Sequence, residues 1–186
     1  SANDNASLVP LAESAETGLS STEISVPAEI QPMALNVAAS CGDRIALYEI
    51  AARYSEGRNL KRDMKQAANW FEKSSDLGYA PAQYSLGSLF EKGIGVERDV
   101  NKAAVLYEKA AKKGNARAMH NLAVINAMGT GRPANLATAT RWFHDAANFG
   151  VKDSQFNLGI LYGQGMGVPQ DLINSYKWFA IAAKTG

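Results

Sequence analysis

The residue types that carry out chemistry are sparse in this sequence and are not arranged for catalysis. The two histidines, His120 and His144, lie 24 residues apart, which is not a metal-ligand spacing. Cys41 is the only cysteine, so no intrachain disulfide can form, and the sequence implies no base beside it. No pair of carboxylates can be assigned to general acid–base work. We therefore predict that the chain is not an enzyme and uses no cofactor and no metal.

Two glycine-rich strings resemble parts of phosphate-binding loops. They are Gly93-Ile-Gly95-Val and Gly129-Thr-Gly131-Arg. A phosphate loop opens a helix directly after a strand, and its P-loop form continues into Gly-Lys-Ser/Thr. Neither condition holds here, so we interpret both strings as loops of a longer repeat.

Glycine recurs every 36 residues along most of the chain. This period predicts a tandem array of supersecondary units that stack on one another and present an extended surface. We number the positions of each unit from its glycine as position 0. The glycines that mark the period are Gly42, Gly78, Gly114, Gly150 and Gly186. The predicted units are 42–77, 78–113, 114–149 and 150–186.

Each unit has the pattern of two helices joined by a glycine loop. Positions 4, 8, 9 and 12 share one face of a first helix. In the second helix, large side chains at positions 28 and 29 precede small ones at 32 and 33. Glycine past a helix end, or in a tight loop, adopts positive φ at little cost. We therefore predict structural roles for Gly42, Gly78, Gly93, Gly95, Gly114, Gly129, Gly131, Gly150, Gly165 and Gly167.

Units 1 and 3 depart from this pattern. Unit 1 has Arg53 where the other units have an aliphatic residue, and it lacks the loop glycine at position 17. Unit 3 has Asn126 in place of an aromatic residue, Arg132 in place of an apolar one, and Thr140 in place of alanine. We expect less regular packing at these places and no change of fold.

The segment before the repeats differs in composition. Residues 1–31 are rich in Ser, Ala, Glu and Pro and show little periodicity, which predicts a disordered acidic linker. Residues 32–41 place Leu35, Ala38 and Ala39 where a second helix would, so we predict a capping helix there. Because the chain begins at Ser1 and not at Met, we expect a fragment of a longer protein.

Charge and hydropathy argue against two classes of partner. Of the 18 acidic residues, five precede position 42 and all 19 Lys and Arg follow it. The repeats are therefore mildly basic with mixed signs, and we predict no nucleic-acid partner because a concentrated basic stripe is missing. No run approaches 18 apolar residues, so we expect a soluble fragment. A membrane anchor elsewhere in the parent protein stays open.

The second unit carries a recognisable motif. From Ala82 it reads A-x-x-x-L-G-x-x-F-x-x-G-x-G-V-x-x-D-x-x-x-A-x-x-L-Y-x-x-A-A. This resembles the Sel-one-like repeat, a relative of the tetratricopeptide repeat. The resemblance implies an all-α, right-handed α-solenoid that acts as a scaffold for protein or peptide partners of unknown identity. Cysteine-rich relatives that bind β-lactams depend on paired cysteines in each unit, which this chain lacks.

A narrower resemblance concerns two strings. Ala-Met-His-Asn-Leu-Ala at 118–123 and Ser-Tyr-Lys-Trp-Phe-Ala at 175–180 are similar to the periplasmic repeats of the polar organelle development family of α-proteobacteria. This resemblance implies a periplasmic location and a role in cell polarity. Two alternatives stay open: a cytoplasmic adaptor with the same repeats, and a module that binds peptidoglycan in the cell wall.

Related solenoids bind extended peptides on a concave face lined by first helices, which here implies positions 6, 7 and 10. The predicted binding residues are Tyr48, Tyr84, Ser85, His120, Asn121, Val124, Phe156, Asn157 and Ile160. The alternative is that position 6 packs between neighbouring first helices. A second candidate surface is the last helix, 172–185, where Tyr176, Phe179 and Ala183 would face a following repeat. Such a face would serve self-association or a downstream domain.

Overall fold

The computed structural model describes residues 23–184, and this part of the chain contains nine α-helices and no strand. The first helix is short, and the other eight have 13 residues each. The helices are α1 (Met33–Ser40), α2 (Arg44–Glu56), α3 (Met64–Asp76), α4 (Ala80–Lys92), α5 (Val100–Lys112), α6 (Ala116–Met128), α7 (Leu136–Asn148), α8 (Lys152–Gln164) and α9 (Leu172–Lys184).

Each helix packs on its neighbours in chain order. Within the four units, α2 packs on α3, α4 on α5, α6 on α7 and α8 on α9. The second helix of each unit also packs on the first helix of the next, as α3 does on α4. This succession of nearest-neighbour contacts is that of an α-solenoid. The predicted all-α solenoid is confirmed.

A large ring at position 29 of each second helix lies beneath a small residue at position 9 of the first. Tyr107 is fully buried, and a Cβ added to Gly87 would lie 2.9 Å from its ring. A Cβ on Gly159 would lie 2.6 Å from the ring of Phe179. The missing side chain at position 9 therefore sets how closely the two helices of a unit approach.

The first helices begin in two alternating ways. Asp43 and Asn115 cap α2 and α6 by accepting hydrogen bonds from main-chain N–H groups three residues later, at 2.8 and 2.9 Å. The helices α4 and α8 have no side-chain cap. There Gln83 and Gln155 donate to a main-chain carbonyl at the end of the preceding second helix, at 3.3 and 3.2 Å. These carbonyls would otherwise lack an intrahelical donor.

Residues 23–31 are packed against the first unit, so the predicted disordered linker is wrong over this stretch. Ile30 is 1% exposed and belongs to the core of units 1 and 2. The Asn36 side chain donates to the Pro27 carbonyl at 2.9 Å, and Ile24 and Val26 pack on the same core. We call residues 23–31 the N-terminal strap. Its apolar residues cover a side of α1 that no preceding helix fills, whereas residues 1–22 lie outside the described part.

The strap explains both departures of unit 1. The Arg53 guanidinium donates to the main-chain carbonyl of Gln31 and to Glu49, so an arginine fits where the other units are aliphatic. Asn59 replaces the position-17 glycine and has φ of 60°, which asparagine tolerates. In unit 2 the same position is Gly95, whose Cβ would lie 2.2 Å from the Met64 carbonyl oxygen of the preceding unit.

Unit 3 keeps its packing despite its polar substitutions. The buried Asn126 amide donates to the Leu122 carbonyl at 2.9 Å. The Thr140 hydroxyl donates to the Leu136 carbonyl at 2.7 Å. Because both groups satisfy their hydrogen bonds within their own helix, α6 and α7 pack as closely as the helix pairs of the other units. The irregular packing expected here does not occur.

His120 joins units 3 and 4. Its Nδ1 lies 2.7 Å from the hydroxyl oxygen of Ser154, which is fully buried at the start of α8. Burial lowers the pKa of His120 below its ordinary value, and the nearby Asp153 carboxylate opposes this shift. The neutral imidazole is thus the form that suits the folded chain.

All ten glycines named above have positive φ, but they tolerate substitution differently. Gly95→Ala adds the strain of a left-handed alanine, about 1–2 kcal/mol, and a clash with main-chain atoms, about 1–3 kcal/mol. Gly114→Ala adds only the strain, because a Cβ there meets no atom within 4 Å. Urea unfolding should therefore show a loss of about 2–5 kcal/mol for Gly95→Ala and about 1–2 kcal/mol for Gly114→Ala. Equal losses would contradict the close approach of the loop.

The buried His120 predicts a pH dependence of stability. Because folding lowers its pKa, the unfolded chain binds a proton first as the pH falls below 6.5, the ordinary value. The free energy of unfolding should then decrease by up to about 1.4 kcal/mol per pH unit through this group. Urea unfolding between about pH 7.5 and about pH 5.5 should show a steeper decrease for the parent chain than for His120→Asn. The control His144→Asn should keep the steep decrease, and identical slopes for the parent chain and His120→Asn would refute the assignment.

Candidate functional site: the first-helix face

The nine predicted binding residues all lie on the first helices α4, α6 and α8, apart from Tyr48 on α2. Eight of them are half-buried, and Phe156 is 52% exposed. We call the surface formed by positions 6, 7 and 10 of these four helices the first-helix face. Half-buried side chains are held in place by the fold while they still offer surface to a partner.

The rings at position 6 are partly committed to the core. Each packs at an angle on the position-29 ring of its own unit, with centroids 5.3 to 5.9 Å apart. Position 6 therefore packs chiefly on the second helix of its own unit, and not mainly between first helices as the alternative proposed. The pairs are Tyr48 with Phe71, Tyr84 with Tyr107, His120 with Phe143, and Phe156 with Phe179.

The two asparagines at position 7 differ in their contacts. Burial and a hydrogen bond to Glu91 raise the pKa of the Tyr107 hydroxyl, and a hydrogen bond with Asn121 acts in the opposite direction. Asn121 is thus engaged inside unit 2 and unit 3. Within residues 23–184, the half-buried amide of Asn157 makes no hydrogen bond, so its donors and acceptor are available to a ligand.

An apolar depression of about 270 Å³ lies between α6 and α8. Three predicted residues line it, namely Val124, Asn157 and Ile160. Met128, which is 74% exposed, and Met166, which is 38% exposed, complete its walls. We call this depression the apolar groove. It brings together one free amide and several aliphatic side chains from two neighbouring units.

Sequence reasoning missed both methionines of the apolar groove. The predicted set followed one stripe of the first helix, whereas Met128 ends α6 and Met166 lies in the loop after α8. A signal was present, because position 14 is Glu56, Lys92 or Gln164 in the other units. Comparing the units position by position at helix ends would have singled out Met128.

The opposite end of the first-helix face is charged. Glu49 accepts hydrogen bonds from Arg53 at 3.0 Å and from Arg58 at 2.9 Å, and Arg58 also pairs with Glu56 at 3.0 Å. Partial burial raises the pKa of Glu49, but the bonds from Arg58 and Arg53 outweigh it and lower the pKa overall. The face thus changes from a neutralised ion cluster in unit 1 to an apolar surface in units 3 and 4.

A larger depression, of about 780 Å³, lies between α7 and the loop that joins α8 to α9. Its lining is mixed and includes Arg141, Trp142, Asp145 and Tyr162. His144 also lines it, and its ring packs edge-on to Trp178 with centroids 5.3 Å apart. None of the predicted binding residues contributes to this depression.

The described residues offer no arrangement for metal chemistry. Residues 23–184 contain no group of three His, Cys, Asp or Glu side chains that is placed to hold a metal ion. Cys41 is an exposed free thiol at the end of α1. In the same range, none of the helices has the length and hydropathy needed to cross a membrane.

Comparison with solved structures gives relatives of the same architecture. A protective antigen of uropathogenic Escherichia coli strains with an SLR fold is 34% identical and superposes with a TM-score of 0.80 over 84% of this chain. A Sel1 repeat protein from Oxalobacter formigenes is 28% identical, with a TM-score of 0.73 over 80% of this chain. The chain spans 34% and 60% of the lengths of these two proteins. Helicobacter pylori cysteine rich protein B, 22% identical over 76% or less of comparable structure, shares the fold alone.

Comparison with family models places four matches along the chain. The Sel1 repeat matches residues 44–79, 80–115, 116–148 and 152–186, close to the units that the glycine period marks. No curated protein matches the chain significantly. Since the four matches cover more than half of the sequence and coincide with four pairs of helices, the chain belongs to the Sel1 repeat family.

Proposed function

We propose that this chain is a non-catalytic scaffold that holds an extended segment of a partner protein on the first-helix face. Sel1 repeat proteins generally mediate protein–protein interactions and are typically non-catalytic. The observation that carries the proposal is the apolar groove, where Met128 is 74% exposed beside Val124 and Ile160. Exposed apolar surface of this kind marks interaction sites, and methionine adapts its shape to an incoming side chain.

The polar groups of the face supply orientation. The Asn157 amide, free of hydrogen bonds within the described chain, can pair with the main-chain N–H and C=O of an extended segment. The apolar groove then takes one large side chain of that segment. The ion cluster around Glu49 contributes little attraction, because its charges already pair with one another.

A peptide selection tests this function. Phage-displayed linear peptides selected on the chain should be enriched in Leu, Met or Phe, and their affinity can be measured by fluorescence anisotropy. Met128→Lys should weaken selected peptides about tenfold, and Asn157→Ala about fivefold, as expected for the loss of an apolar anchor and of one hydrogen bond.

The matched control is Met33→Lys, because Met33 is 65% exposed on α1, away from the groove. It should leave the affinity unchanged. Peptides that bind all three variants as tightly as the parent chain would show that the groove is not the binding site. A selection without any enriched sequence would contradict peptide binding itself.

We further propose that the parent protein carries this domain in the periplasm, as part of a cell-polarity factor similar to the polar organelle development protein PodJ of α-proteobacteria. The support is the pair of sequence strings at 118–123 and 175–180. Fusion of alkaline phosphatase behind the domain in the native protein should give active phosphatase, which folds only outside the cytoplasm. An inactive phosphatase together with an active β-galactosidase fusion at the same site would place the domain in the cytoplasm instead.

A further inference from the structure

Helix α9 presents an apolar stripe that the other second helices bury. The stripe consists of Leu172, Tyr176, Phe179 and Ala183, at positions 22, 26, 29 and 33 of unit 4. The equivalent positions of units 1 to 3 pack against the first helix and loop of the next unit. In α9, Leu172 is 67% exposed and Tyr176 is 73% exposed. Nothing within residues 23–184 covers this C-terminal face.

Tyr176 makes the C-terminal face unlike an internal junction. Its equivalents are Ala68, Ala104 and Thr140, which are 4%, 1% and 4% exposed. Thr140 shows what fills the space above position 26, because it lines one depression together with Tyr162 of the following unit. A tyrosine there would overfill a closely packed junction. The face is therefore not shaped for another repeat that packs as the internal units do.

A hollow beside the stripe adds a second apolar element. It has a volume of about 560 Å³ and is lined by residues of α8 and α9, among them Phe156 and Phe179. The two rings pack edge-on with centroids 5.3 Å apart, and Phe156 remains 52% exposed. A tyrosine that projects next to a hollow of this size lets two identical faces fit together, each ring entering the hollow of the other copy.

Charge and the closed opposite end favour a second copy as the occupant. Lys152 and Asp153 lie side by side at the rim of the hollow. A two-fold axis through the face would bring Lys152 of each copy near Asp153 of the other, so the rim is self-complementary. At the other end of the array, the N-terminal strap covers α1 with Ile30 buried beneath it, which blocks head-to-tail stacking. An isologous pair closes, whereas a head-to-tail pair would continue into a filament.

We propose that two copies of this chain associate tail to tail through the C-terminal face and form a closed dimer. Sedimentation equilibrium from nanomolar to high micromolar concentration should give a monomer–dimer equilibrium. Tyr176→Glu should raise the dissociation constant about 30-fold or more, the effect of losing an interface hot spot. The control Val105→Glu changes an exposed valine on α5 and should leave the dissociation constant unchanged.

A second variant guards against misfolding. Tyr176→Ala installs the residue that Ala68 and Ala104 show to be compatible with the fold, and it should also weaken the dimer. Its circular dichroism and melting temperature should match those of the parent chain. A parent chain that stays monomeric at high micromolar concentration overturns the proposal, and so does a dimer that both Tyr176 variants leave intact.

Cross-linking tests the symmetry. In a Cys41→Ser background, Ala183→Cys places one thiol on each C-terminal face, near the proposed two-fold axis. Mild oxidation should convert most of this variant into a disulfide-linked dimer, whereas Val105→Cys in the same background should remain monomeric. Equal cross-linking of the two variants, or none in Ala183→Cys, would exclude the tail-to-tail arrangement.

Discussion

The contact on which the whole array depends is the ring of each second helix beneath the small residue of its first helix. Tyr107 under Gly87 shows it most clearly, because no side chain could be added to the glycine without displacing the ring. The same ring supports the position-6 side chain of the binding face, as Tyr84 rests on Tyr107. The packing core and the candidate site therefore share atoms. A partner meets side chains whose conformations the core already restricts, which lowers the entropic cost of binding.

Sequence was sufficient for the solenoid, because a period of one glycine with in-phase small and aromatic residues leaves few other ways to bury the apolar face. It was insufficient for the N-terminal strap. Ile24, Val26 and Ile30 are diluted by Ser, Ala and Pro over residues 1–31, so average composition indicated a linker. What made these three residues pack was an empty side of α1, and such a vacancy is a property of the assembled array and not of the local sequence.

The candidate site was predictable for the same reason and only to the same extent. Helical phase correctly placed Val124, Asn157 and Ile160 on one surface, since each lies at a fixed angle on its helix. The phase has no information about helix ends and loops, which supply Met128 and Met166. Position 6 showed the opposite limit, because one angular position can serve the core and the surface together when the supporting ring is large.

The two ends of the array differ in a way that bears on function. The strap closes one end with the chain's own residues, and the other end carries a tyrosine where internal junctions carry small residues. If the C-terminal faces pair, each assembly presents two copies of the first-helix face at a fixed separation. A partner with two binding segments would then engage the second face at a high effective concentration, so that weak single contacts through the apolar groove give strong overall binding. Modest affinity at one groove would thus be compatible with stable recruitment by the dimer.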